Sequence, residues 1–245
     1  MALGVEAEKA GWDGLFVWEG VYGQDAWTTL GAIAARTERI RLGMMLTPLP
    51  RRRPWKVASE VVTLDHLSDG RAILAVGLGA YDPALGLTGE KGTRRSRAER
   101  LDEGLAVVTG LWSGERVQFD GKHYRVDIPA GPTPLQADGI PIWVVGVWGR
   151  PASIGRAVRY AGVLPAAIGD DGGIGQASPA DVAEIAAFAT TERDGEPFDI
   201  VVEGETPRDD LGPWREAGAT WWLETRWEKG DEFGPRVAQG PPPAI

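Results

Sequence analysis

Three consecutive arginines, Arg51 to Arg53, are the first candidates for chemistry, because they follow an apolar run and a Thr-Pro-Leu-Pro turn. A guanidinium group suits phosphate or carboxylate oxygens, since its N–H donors are planar and can bind two oxygens at once. The alternative is a solvated turn in which Pro50 and Pro54 keep the backbone extended and the arginines add only solubility. The sequence leaves both alternatives open.

Groups that could transfer protons or hold metals are scarce in this chain. There is no Cys, which excludes a disulfide framework, a thiolate metal site and a cysteine nucleophile. The two histidines are His66, expected to be structural, and His123, expected to be exposed on a hairpin. Two histidines exclude a three-histidine metal centre. The net charge of −9 argues against a nucleic-acid partner, and no apolar run is long enough to predict a membrane partner. A cytoplasmic location is therefore expected.

Short apolar runs alternate with segments of helical period along most of the chain. Strands are predicted at 14–20, 40–49, 72–79, 140–148, 163–169, 198–204 and 219–225. Helices are predicted between them, with Asp25, Pro54 and Ser178 at three of the helix starts. The pair Asp120-Gly121 predicts a small hairpin over 117–126. Continuous apolar strands separated by single helices are typical of a parallel sheet that is buried on both faces.

Two architectures fit this order, an open doubly wound sheet and a closed barrel. The length of 245 residues and the seven strand–helix steps favour an α/β fold of the TIM-type (β/α)8 barrel class, in one domain over residues 1–245. The sequence begins with a helix where such a barrel has its first strand. We therefore expect a barrel that lacks its first β-strand, through a lost leading segment or closure by seven strands.

In a parallel barrel the reactive groups lie at the carboxyl ends of the strands. In this sequence those ends are rich in Gly, Trp and Met and poor in acid–base pairs. Such a site can hold a large flat ligand but offers little proton transfer of its own. We therefore expect a cofactor to supply the reactivity.

Several segments together resemble the bacterial luciferase-like flavin monooxygenase family. They include AEKAGWDGLFVWE, ARTERIRLG, TLDHLSDGR, LAVGLG, RAERLDEGLAVVTGLWSGE, FDGKHYRV and PIWVVG. The resemblance implies a (β/α)8 barrel that uses reduced FMN or the deazaflavin coenzyme F420 and acts on a small organic substrate. It also implies a homodimer and, as a possible partner enzyme, a flavin reductase.

By position, the resemblance also implies cofactor contacts. A cis peptide bond is implied at Met44-Met45 or one bond later, and Thr47 would bond to the flavin ring. The backbone at Leu78-Gly79 and at Val145-Gly146 would approach the ribityl and phosphate groups. The implied cofactor-binding residues are Glu19, Met44, Met45, Thr47, Gly77, Leu78, Gly79, Val145 and Gly146. For Gly77 and Gly79, an equal alternative is that a crowded strand end requires small residues.

The candidate walls of the substrate pocket are Trp18, Tyr81 and Trp148. Catalytic residues are left unassigned, because the sequence departs from the family pattern at two places. Family members often have Asp-His where this chain has Glu19-Gly20. The deazaflavin sugar-phosphate dehydrogenases place a catalytic Glu where this chain has Ala80.

The leading hypothesis is a flavin- or deazaflavin-dependent oxidoreductase that either activates dioxygen or passes hydride to its substrate. A second hypothesis is a truncated, non-catalytic relative or partner subunit that binds flavin weakly or not at all. A third is a barrel hydrolase or metal enzyme that uses Asp170, Asp171 and Glu203. The third is disfavoured, because the segment GDDGGIG is typical of a solvated turn.

Overall fold

The computed structural model describes residues 2–79, 92–169, 171–206, 210–226 and 230–242. The chain divides into two compact units. The first comprises Met1–Glu8 with Asp13–Ile140, and the second comprises Lys9–Trp12 with Pro141–Ile245. Both units combine parallel strands with helices. The expectation of one domain over residues 1–245 remains a prediction.

The first unit contains a parallel sheet in the order β1-β2-β3. Its elements follow in chain order as α1 (Ala2–Lys9), β1 (Gly14–Val17), α2 (Ala26–Ala34), β2 (Arg41–Thr47), α3 (Pro54–Leu67), β3 (Ala72–Val76), α4 (Arg94–Trp112), β4 (Val117–Asp120) and β5 (Arg125–Ile128). A single 3-10 turn, Leu49–Arg51, lies between β2 and α3. The antiparallel pair β4-β5 confirms the predicted hairpin.

Local signals place the first-unit elements where the sequence predicts them. Asp25 caps α2 by accepting a hydrogen bond from the backbone N–H of Thr28 at 2.7 Å. Pro54 occupies the first turn of α3, where its missing N–H costs nothing. All five residues of β3 are buried, which explains why this strand is a continuous apolar run.

The second unit contains the parallel strands β6, β7, β9 and β10, with β8 antiparallel to β7. Its elements are β6 (Ile142–Trp148), α5 (Pro151–Ala157), β7 (Gly162–Ile168), β8 (Ile174–Gln176), α6 (Pro179–Glu192), β9 (Asp199–Gly204), α7 (Gly212–Glu216), β10 (Trp221–Glu224) and α8 (Gly230–Ala238). Ser178 and Asp181 form a capping box at the start of α6. The sequence analysis missed β8 and α8.

The two faces of the second sheet differ in what covers them. Helices lie on one face, where the ring of Trp222 is 6.5 Å from that of Trp214 in α7. On the opposite face, the indole N–H groups of Trp143 and Trp221 donate to the two carboxylate oxygens of Asp199, at 3.0 and 3.2 Å. Because side chains alternate along a strand, Val201 and Glu203 share the face of Asp199.

Helix α8 is held by contacts that are distant in sequence. The guanidinium group of Arg236 lies 5.0 Å from the ring centre of Trp12 and 3.4 Å from the carboxylate of Glu224. The indole N–H of Trp12 donates to the backbone oxygen of Val237 at 2.8 Å. Pro235 lies inside this helix and argues against it in the sequence alone. Tertiary packing overrides that local signal.

The β4-β5 hairpin is fastened to α4 by two glutamates. The carboxylate of Glu103 accepts backbone N–H groups of Lys122, His123 and Tyr124 at 2.8 to 2.9 Å. Glu99 lies 2.8 Å from the ammonium of Lys122 and 2.9 Å from a ring nitrogen of His123. The expectation that His123 is exposed is therefore wrong. Its side chain is 11% exposed, because the ring turns towards α4.

At the amino-terminal side of the first sheet, a buried guanidinium group links several chain segments by hydrogen bonds. Arg71 donates to the backbone oxygens of Ala34 (3.2 Å), Thr37 (2.7 Å), Ile40 (2.8 Å) and Ser68 (2.5 Å), and to the hydroxyl of Thr37. These acceptors lie at the end of α2, before β2 and after α3. Burial lowers the pKa of Arg71 below its usual range. One side chain thus satisfies carbonyl groups that the helix ends leave unpaired.

We expect Arg71→Met to lower the free energy of unfolding by about 3 kcal/mol or more, because several buried carbonyl groups lose their donor. Urea denaturation measures the change. Arg36→Met is the matched control, since Arg36 is exposed near the same helix end and should change stability by less than about 0.5 kcal/mol. Equal losses in the two variants would contradict this role for Arg71.

A second prediction concerns the stability of the β4-β5 hairpin at low pH. The hydrogen bond from Lys122, followed by that from His123, lowers the pKa of Glu99 from 4.5 to about 2. The ionised carboxylate of Glu99 therefore contributes fully to the stability of the hairpin above pH 4.5, and this contribution is lost as the pH falls through about 2. Amide hydrogen exchange should show protection of the hairpin falling over that range, with a smaller change in Glu99→Gln. Glu115→Gln, at an exposed carboxylate before β4, should behave as the unmodified protein does.

Candidate functional site

The carboxyl ends of the three first-unit strands lie side by side. Val17 pairs with Met44, and Thr47 pairs with Val76. The backbone N–H of Gly77 donates to the carbonyl oxygen of Thr47 at 3.2 Å, which continues the pairing past the end of β3. The residues that follow these ends therefore form one edge, as expected for a parallel α/β sheet.

Strand β2 is irregular immediately before this edge. Its register with β3 shifts between Met44 and Thr47, and the peptide bond between Met45 and Leu46 is cis. The cis bond is the later of the two positions that the family resemblance allows. Met44 is fully buried and Met45 is half-buried, so the irregular segment has only part of its surface open.

The hydroxyl group of Thr47 is buried and has no hydrogen-bond partner among the described residues. A buried hydroxyl without a partner is costly, because it has lost its hydrogen bonds to water. Such exceptions call for an explanation, and a bound ligand is one of the usual ones. Among the predicted cofactor contacts, Thr47 is thus the residue with an unused hydrogen-bonding group.

The side chains of two arginines lie close to Gly79, which follows β3. Its φ is +79°, and an added Cβ would lie 2.8 Å from the guanidinium carbon of Arg51. Arg97 in α4 donates to the carbonyl oxygen of Gly79 at 3.0 Å, and its Nε is buried without a partner in the part of the chain that the structure describes. The positive φ therefore favours glycine at position 79, with the flexible side chain of Arg51 packed close to it, while Gly77 is simply buried. Leu78, between them, is half-buried.

The three arginines of the opening segment have different environments. Arg51 lies beside Gly79, as described above. Arg52 is held between two carboxylates, 2.6 Å from that of Glu19 and 3.5 Å from that of Glu60. Burial raises the pKa of Glu60, and Arg52 opposes this shift. The guanidinium group of Arg53 lies 5.8 Å from the ring centre of Trp55.

Glu19 is thus committed to an ion pair with Arg52, whatever else it contacts. Trp18, a predicted wall of the substrate pocket, precedes it and is 57% exposed. Its predicted contact with a substrate remains a prediction. Tyr81 and Ala80 lie outside the described residues.

The predicted residues of the second unit lie on different faces of its sheet. Val145 is half-buried and points away from the helices. Gly146 packs under α5, where an added Cβ would lie 3.0 Å from Ile154 and 2.6 Å from Val163. The indole N–H of Trp148 donates to Glu184 of α6 at 2.5 Å. These contacts give Gly146 and Trp148 packing roles on the helix side, and their predicted ligand contacts remain predictions.

The third hypothesis finds little in the described residues. The carboxylate of Asp171 accepts the backbone N–H of Gly173 at 2.8 Å, as in an ordinary turn, and Asp170 lies outside the described ranges. No group of three or more potential metal ligands occurs in the ranges that the structure covers. Among the described helices, none is long and apolar enough to cross a membrane. Sequence reasoning assigned no role at this edge to Arg97 or Glu60.

Comparison with known proteins gives consistent results. The family model for luciferase-like monooxygenase matches residues 1–207. An F420-dependent glucose-6-phosphate dehydrogenase of Nakamurella multipartita is 36% identical over 170 residues, which are 65% of this chain and 49% of the relative. The chain therefore spans about half the length of the curated relatives it matches.

Solved structures show the same fold. The coenzyme F420-dependent tetrahydromethanopterin reductase of Methanopyrus kandleri aligns with a TM-score of 0.67 at 21% identity, over 83% of this chain and 61% of that chain. The oxygenating constituent of 3,6-diketocamphane monooxygenase from Pseudomonas putida, solved with FMN, aligns with a TM-score of 0.63 at 20% identity, over 82% and 59%. These likenesses confirm the predicted class, an α/β fold of the TIM-barrel type.

We expect Gly79→Ala to lower the free energy of unfolding by about 1–2 kcal/mol, since its positive φ disfavours any Cβ and the new methyl group would press on Arg51. Thermal or urea unfolding gives the value. Gly131→Ala, at an exposed glycine with open space around its Cβ position, is the control and should be neutral or slightly stabilising. An unchanged free energy of unfolding in Gly79→Ala would contradict the requirement for glycine at this position.

Proposed function

This chain belongs to the luciferase-like monooxygenase family, and from that premise we propose that it is an oxidoreductase dependent on F420 or FMN. The substrate would be a small organic compound. The observation that carries the proposal is the unpaired, buried hydroxyl of Thr47 beside the irregular segment of β2. The relative named for F420 supports the deazaflavin, and the neighbour of like fold solved with FMN supports the flavin.

The residues present at the first-unit edge fit a flat ring with polar atoms along one side. Thr47 would donate to or accept from a ring heteroatom, which would satisfy its hydroxyl. The irregular segment at Met45 would be one of the contacts that hold the ring. The half-buried Leu78 leaves part of the end of β3 open to a ligand. When bound, the reduced cofactor would supply the hydride or the electrons of the reaction.

Positive charge beside Gly79 would serve the anionic part of such a cofactor. Arg97 keeps an N–H group unused in the described ranges, and the guanidinium group of Arg51 lies next to the same glycine. Guanidinium groups bind phosphate oxygens well, because both are arranged for paired hydrogen bonds. Arg52 would not share this task, since two carboxylates already hold it.

The protein's own contribution would be orientation and exclusion of water more than acid–base chemistry at this edge. Glu19 is ion-paired with Arg52, and Gly20 offers no imidazole. Trp18 would cover one side of the organic substrate. We also propose, from the family resemblance, a homodimer, a flavin reductase as partner if the cofactor is FMN, and a cytoplasmic location.

Titration of the purified chain with F420 and, separately, with FMN tests the function. Quenching of tryptophan or cofactor fluorescence gives each dissociation constant. We expect one of the two to bind at micromolar concentration. Binding of neither at tens of micromolar would favour the second hypothesis, a non-catalytic relative.

Thr47→Val sharpens this test. The methyl group replaces an unpaired hydroxyl, so the free energy of unfolding without cofactor should stay constant or rise by about 1 kcal/mol. Cofactor affinity should fall about fivefold to tenfold, equivalent to about 1–1.4 kcal/mol. Thr63→Val, at an exposed threonine of α3, is the control and should leave affinity unchanged. Unchanged affinity in Thr47→Val would exclude Thr47 as a ligand contact.

A further inference from the structure

Glu203 lies at the carboxyl end of β9 in the second unit. It pairs with Leu223 of β10, and both point away from the helices, on the face that carries Asp199 and Trp221. Asp199 is four residues earlier on the same strand, hence about 13 Å away at the usual rise per residue. Glu203 is therefore placed where the reactive groups of a parallel α/β sheet normally lie.

The backbone around Glu203 is fixed, but its carboxyl group is not used. The side-chain amide of Gln176 donates to the carbonyl oxygen of Glu203 at 2.5 Å, and the backbone N–H of Thr225 donates to that of Gly204 at 2.8 Å. Within the described ranges, no hydrogen bond or ion pair reaches the Glu203 carboxyl group. A rigid strand end thus presents an unpaired acid.

Glu224 on the neighbouring strand differs from Glu203, because its carboxylate is buried and paired. Its side chain is 3% exposed, points to the helix face, and lies 2.5 Å from Arg226 and 3.4 Å from Arg236. The hydroxyl of Thr206 also donates to it at 2.5 Å. Glu203 has none of these partners, although it is only one strand away.

The described strand neighbours of Glu203 on its own face are apolar. They are Leu164 and Ala166 of β7 and Leu223 of β10, and β8 contributes the neutral Gln176. The described acidic groups nearest to it along the chain are engaged with other partners. Asp199 accepts two indole N–H groups, and Glu205 lies 3.7 Å from Arg226.

Burial alone raises the pKa of Glu203 above its ordinary value of 4.5. The residue is nevertheless only half-buried, so a ligand can reach it. A reachable carboxyl group in such a place holds its proton more strongly than a fully solvated one does, and the protonated form can donate a hydrogen bond.

We propose that Glu203, in its neutral form, donates a hydrogen bond to the oxygen of a neutral carbonyl compound that binds at the carboxyl end of the second-unit strands. The groups that carry this proposal all belong to the second unit.

The test is a titration of the whole chain labelled with carboxyl-13C glutamate and followed by NMR. Glu203→Gln identifies the Glu203 signal by its loss, and Glu203→Asp does so if the Gln variant fails to fold. Glu205→Gln identifies the ion-paired control carboxylate. Cyclohexanone at millimolar concentration is the carbonyl probe.

We expect the titration midpoint of Glu203 to lie above 4.5. Cyclohexanone should raise this midpoint further, by about 0.5 pH unit. That shift means that cyclohexanone binds the protonated form about threefold more tightly than the ionised form. The Glu205 signal should not respond to the probe. A Glu203 midpoint at or below 4.5, or one that ignores the probe, would overturn the proposal. The titration uses neither cofactor nor turnover, so failure of cofactor binding would defeat the proposed function separately.

Discussion

The buried guanidinium group of Arg71 is the interaction on which the first unit depends. It gathers carbonyl groups from the end of α2, from the approach to β2 and from the turn after α3. Those three segments set where β2 and β3 begin, and hence their register. The irregularity of β2 between Met44 and Thr47 then adds one residue to this strand, which brings Thr47 beside Val76 and Gly77.

Polar groups in this protein divide into those that the fold satisfies and those that it leaves open. Glu103 holds a hairpin turn, and Arg52 is shared by Glu19 and Glu60. The hydroxyl of Thr47, by contrast, is buried without a partner in the described ranges. Since buried polar groups are nearly always paired and Thr47 lies at a strand end, where ligands of parallel α/β sheets bind, a ligand is a natural partner for this hydroxyl.

The sequence predicted the order of strands and helices well, because burial on both faces makes parallel strands continuously apolar. It also predicted local caps such as those at Asp25 and Ser178, whose partners lie only three residues away. It failed for α8, which contains Pro235 and is held by contacts with Trp12 and Glu224. Those partners are far away in the chain, and periodicity carries no information about them.

The candidate site shows the same division. Composition by itself determined that proton-transfer groups are few and that a cofactor is the expected source of reactivity. Resemblance pointed to the segment around Met45 and Thr47. Only the tertiary structure decided that Arg97 reaches Gly79, and that the hydroxyl of Thr47 and the carboxyl group of Glu203 have no partner among the residues that the structure describes. Pairing and burial arise when distant segments meet, so they are properties of the folded molecule and cannot be read from local sequence.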